Sequence, residues 1–123
     1  MIIETSVDIA TDGSGDATVY LGTRLRGRVH AIRYTPDTLD TGADLTLTGE
    51  TTGVPILVQA NAGTSVLWKY PRVLANKNTD GSAATDAFAD IHVLNERIKV
   101  VVAQGGTSKA GSITVYIDTP PPY

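Results

Sequence analysis

A chain of 123 residues with a hydrophobic fraction of 41% is long enough for one core, which at this size removes roughly 65% of the unfolded chain's surface from water. Its formal charge of -3 excludes the basic surplus that marks nucleic-acid-binding domains. The absence of cysteine excludes a disulfide framework, a thiolate zinc site and a thiol nucleophile.

The hydrophobic residues are largely Val, Ile, Leu and Ala, Thr is abundant, and Glu and Lys are sparse, a balance that suits strands better than helices. Ile3, Thr5, Val7 and Ile9 alternate with Glu4, Ser6, Asp8 and Ala10, which is the period of a half-buried strand. Thr11–Gly15 supplies Asp and Gly for a tight connection, so Asp16–Leu21 is expected to return beside the first strand as a hairpin. Arg28–Thr35 predicts a third strand, closed by Pro36 and Asp37. Leu45 and Leu47 alternate with Thr46 and Thr48, Gly49 and Gly53 bracket a turn, and the apolar run resumes at Val54, giving strands four and five.

Ser65–Tyr70 is a sixth short strand, stopped by Pro71. Arg72–His92 then reads as a long irregular section, with helical character at Ala83–Asp90 and Ser82 or Thr85 as its cap. Loops of that length are usually functional or held by a partner. Arg97–Gln104 and Ser112–Asp118 are the last strands, separated by the loop Gly105–Gly111. About eight antiparallel strands predict an all-β, single-domain β-sandwich or jelly-roll-like barrel over residues 1–118, followed by a Pro-rich C-terminal arm over 119–123.

The reactive inventory is thin. His30 and His92 are the only histidines, and neither stands in a pattern that would place two imidazoles on one metal. No nucleophile elbow occurs, and Gly13-Ser-Gly15 lacks the third glycine and following helix of a phosphate cradle. Asp12, Ser14 and Asp16 have the spacing that opens a calcium loop, without its glycine and terminal glutamate, so turn chemistry accounts for them. No catalytic residue, metal or cofactor is expected. No segment has the basic-then-apolar order of a signal peptide or the ~20 apolar residues of a membrane span, so no membrane partner is expected either.

Protein contact is the remaining chemistry. Arg24, Arg26 and Arg28 are two apart, so on a straight extended segment they share one side, either as a charged edge that blocks pairing or as a contact for an acidic partner. Asp80 and Asp86 lie in the long section, whose part from Thr79 to Asp90 is a second candidate contact. Trp68 and Tyr70 share one side of their strand; both suit an interface, with core packing the expectation for the single tryptophan. Pro120-Pro-Pro-Tyr123 matches a WW-domain ligand pattern, and a rigid arm that docks Tyr123 on a neighbour is the simpler reading.

Gly27-Arg-Val-His-Ala-Ile-Arg-Tyr34, Thr41-Gly-Ala-Asp-Leu-Thr-Leu-Thr-Gly-Glu50 with Pro55-Ile56, Tyr70-Pro-Arg72, Asn95 through Gly106 and Gly111-Ser-Ile-Thr-Val115 together resemble small virion structural proteins of tailed bacteriophages, of the head decoration or cement type. The stretch from Asn76 to His92 lies outside the resemblance. The resemblance implies a non-enzymatic protein made in the bacterial host cytoplasm and placed in many copies on the phage head surface. It would bind the major capsid protein and stabilise the shell, as a homotrimer or other homo-oligomer. Alternatives are a tail, neck or fibre-associated structural protein, or a carbohydrate-binding β-sandwich module in which Trp68, Tyr70 and Tyr20 stack on sugar rings.

Overall fold

The structure is a computed structural model that describes residues 1–120, among which every regular element is a strand. They are β1 (Ile2–Ala10), β2 (Ala17–Thr35), β3 (Asp44–Gly49), β4 (Pro55–Gln59), β5 (Leu67–Lys69), β6 (Arg72–Asn76), β7 (Ala83–Asp90), β8 (His92–Ala103) and β9 (Ala110–Asp118). All pairings are antiparallel. The all-β sandwich expected from the sequence is the observed architecture.

The organising element is β2, which at 19 residues is far longer than an ordinary strand of about 5–6. Residues 17–28 pair with β8, and residues 28–35 pair with β9. The strand therefore belongs to two leaves, β4-β3-β8-β2 and β5-β2-β9-β1. It turns the corner at a run of register shifts, with Gly22 and Gly27 at positive φ and Asn95 of β8 at φ 59. The two strands expected at Asp16–Leu21 and Arg28–Thr35 are one strand, which the glycines bend without ending.

Alternation on each leaf builds one core. Leu21, Leu45, Leu47, Ile98, Val100 and Val102 of the first leaf and Ile9, Val29, Ile32, Ile113, Val115 and Ile117 of the second are almost wholly buried in a single cluster. Each such side chain contributes about 1.5–3 kcal/mol relative to leaving it in water. Thr46 and Thr48 stay half-buried on the other face of β3, as their alternation with leucine requires.

Two further expectations are corrected. β1 and the start of β2 are not a hairpin: β1 pairs with β9 along its whole length, and residues 11–16 arch between the leaves. The turn is held by its neighbour, the β8–β9 loop. The Thr11 hydroxyl donates to the Gly106 carbonyl at 2.6 Å and accepts the Lys109 N–H at 2.7 Å, and Gly105 N–H donates to the Gly15 carbonyl at 2.8 Å. Within the arch, one Asp12 carboxylate oxygen accepts the N–H groups of Ser14 and Asp16, which accounts for this trio as turn chemistry.

The section from 72 to 90 is not irregular, and Ala83–Asp90 is not a helix. β6 and β7 form a two-stranded ribbon in which Leu74 faces Phe88 and Val73 faces Ala89. Cross-strand pairing overrides the helix preference of the four alanines at 83, 84, 87 and 89, which have no amphipathic stripe to lay on a core.

Candidate interaction surface

A two-stranded ribbon is marginal by itself, so its anchorage and its exposed faces are informative. Its base is tied to the sandwich by ion pairs: Arg72 Nε lies 3.1 Å from Asp90, and Arg28 bridges Asp90 at 3.7 Å and Asp118 at 3.1 Å. The amino group of Met1 reaches Asp118 at 3.1 Å, and Thr119 N–H donates to the Met1 carbonyl at 2.8 Å. The hydrogen bond from the Met1 amine and then that from Arg28 hold the Asp118 carboxyl below its ordinary range.

Beyond this base the ribbon leaves apolar side chains in water. Val73 and Leu74 are exposed on β6, and Phe88 is 68% exposed on β7. Asp80 and Asp86 are exposed on the same arm, and Asp80 fixes the turn by accepting from the Ser82 N–H and hydroxyl at 2.9 and 2.7 Å.

The three arginines differ in what they meet. Two register shifts lie between Leu21 and Arg26, and Arg28 is turned into the ribbon's anchor. Arg24 and Arg26 are exposed, with no carboxylate within 4 Å among the described residues. They lie where β2 is the outer strand of its leaf, so bulge and charge both discourage pairing by another strand. Replacing Arg28 with glutamine is expected to leave the melting midpoint nearly unchanged, because each pair is half-exposed, but to speed proteolytic cleavage within residues 77–82. Limited proteolysis with peptide mapping checks this; an unchanged cleavage rate would mean that the ribbon is held by other contacts.

Two clefts flank the ribbon base. The larger, about 590 Å³, lies among Arg26, Gly27, Arg28, residues 92–95, Asp118 and Pro120. The smaller, about 270 Å³, lies among Val54, Pro55, Val73, Ile91, His92 and Leu94. Leu94 belongs to both and is 54% exposed. His92 is exposed; His30 is half-buried, with Nδ1 lacking a hydrogen-bond partner among the described residues.

The aromatic residues occupy other surfaces. Trp68 is not in the core: it is 46% exposed on the outside of the second leaf, stacked on Tyr116 at 5.6 Å with Arg33 also 5.6 Å from its ring centre. β5 is only three residues long, with Leu67 turned toward the core, so Trp68 must face outward. Tyr70 is exposed beside it. Tyr20 lies on the opposite leaf with Arg97 4.2 Å over its ring, so the three rings do not form one sugar-stacking platform. Tyr123 lies outside the described residues.

Among the described residues no group of three or more acidic, histidine or cysteine side chains is placed to hold a metal ion, and no helix is long and apolar enough to cross a membrane. In comparisons with known proteins, no family model and no curated protein matches the chain. Sequence reasoning passed over Leu94 and Phe88, the most exposed apolar groups around the ribbon and clefts. Phe88, the single phenylalanine in a run of small and acidic residues, was the available signal.

Proposed function

We propose that this protein is a structural attachment protein, without chemistry of its own, that decorates a bacteriophage head by binding its shell through many copies of a modest contact. One observation carries the reading. The sandwich completes its core without the β6–β7 ribbon, yet the ribbon is paired, tied by ion pairs at its base and exposes Val73, Leu74 and Phe88. An element that buries little in its own chain is accounted for by what it buries on another.

The phage resemblance supplies the major capsid protein as the partner; Arg24 and the ribbon beyond Arg72 lie outside the stretches that carry the resemblance and are proposed as contacts from their exposure alone. Multiplication over a symmetric shell turns a small interface into firm attachment. The test is to add purified protein to heads lacking it, follow co-sedimentation and image the particles. Regular density over the shell is the expected result; density confined to the tail axis, or no co-sedimentation, overturns the head assignment.

A further inference from the structure

The ribbon's exposed face and the rim of the larger cleft complement one another. On β7, Asp86 and Phe88 are two apart and so share a face, about 7 Å apart along the strand. On the rim of the cleft, Arg26 and Leu94 are register partners across β2 and β8, so their side chains lie next to each other on one face. One face offers an acid beside an exposed aromatic ring; the other offers a base beside an exposed leucine. Neither Asp86 nor Arg26 has an ion-pair partner among the described residues, and Phe88 remains 68% exposed in its own chain.

We propose that the ribbon of one copy seats on a second copy of this chain, with Asp86 on Arg26 and Phe88 over Leu94 at the 590 Å³ cleft. The proposal rests on the reading of the ribbon as the contact element: it gives the Asp86 and Phe88 face, with Arg26, to a second copy and leaves Arg24 and the remaining exposed surface to the shell. Copies that each give and receive one ribbon leave no patch unused when the exchange closes, either reciprocally between two copies or head-to-tail around a ring. A ring would collect the remaining charged edge residues, Arg24 among them, into a repeated surface for the shell.

Sedimentation velocity of the full chain over a micromolar concentration series tests this in the absence of any phage component. Wild type is expected to form a closed oligomer and Phe88→Asp to run as a monomer. Arg26→Glu should weaken association at least tenfold, and Arg26→Glu combined with Asp86→Arg should restore it. All three positions are exposed, so the variants should keep the wild-type circular dichroism and melting curve, which separates loss of contact from loss of fold. A monomeric wild type, unchanged association in Phe88→Asp, or failure of the double reversal overturns the proposal. The two readings fail separately: monomers that still bind heads would remove self-association alone, whereas oligomers that ignore heads would remove the shell assignment alone.

Discussion

Replacing Gly27 with alanine is expected to destabilise the protein by about 3 kcal/mol, roughly 10 °C or more in melting midpoint for a domain of this length. Two penalties combine. Gly27 has a φ of 127°, where a side chain is strained, and an added Cβ would collide with the Asp118 carbonyl oxygen and lie 2.9 Å from Thr119 Cα. Both obstacles are backbone, so no rotamer change relieves them. Gly53→Ala is the control: its φ is 74° but its surroundings are open, so it should lose only about 1 kcal/mol. Thermal unfolding of both variants measures the difference. Equal losses would show that conformational strain alone matters at Gly27, and that the close approach of β9 does not fix the corner.

That corner was also where the sequence was hardest to read. Alternation is a local signal, so the half-buried strands at 2–10, 44–49 and 110–118 were legible from their Ile, Leu and Val spacing. Partner choice is set by long-range packing, and nothing local in Thr11–Asp16 distinguishes a hairpin from an arch; the decision lies with Thr11 and the distant Gly105–Lys109 loop. The ribbon failed for a related reason. Its alanines carry no strand preference, and the Leu74–Phe88 pair becomes visible only once both sides are aligned. The three arginines were singled out from their spacing alone, which says nothing of what each one meets. Arg28 meets Asp90 and Asp118, whereas Arg24 and Arg26 have no ion pair among the described residues, a difference set by carboxylates distant in sequence. Trp68 was misplaced because type preference was weighed without the shortness of β5, which leaves the ring one side to occupy.

Replacing Glu96 with alanine is expected to remove about 2 to 3 kcal/mol, because this buried carboxylate organises the turn between β3 and β4. Its Oε1 accepts the N–H groups of Thr51 and Thr52 at 2.7 and 2.9 Å, and its Oε2 accepts the Thr52 hydroxyl at 2.6 Å. A Cβ on Gly49 would run into the same carboxylate and the Thr52 hydroxyl, which is why the turn opens on glycine. Burial raises the Glu96 pKa, but the Thr52 hydroxyl and the two N–H groups outweigh it, and the net effect lowers it from the ordinary 4.5. A carboxyl depressed in the folded state contributes stability that is full above its unfolded value and is lost as pH falls through the lowered folded value. Glu96→Gln keeps the shape without the charge, so it should be less stable than wild type at neutral pH and lose stability less steeply on acidification from about pH 5 to pH 3. Urea midpoints collected across that range decide the matter: parallel curves for wild type and Glu96→Gln would mean that the acid sensitivity comes from other depressed carboxyls, Glu50 and Asp118 foremost.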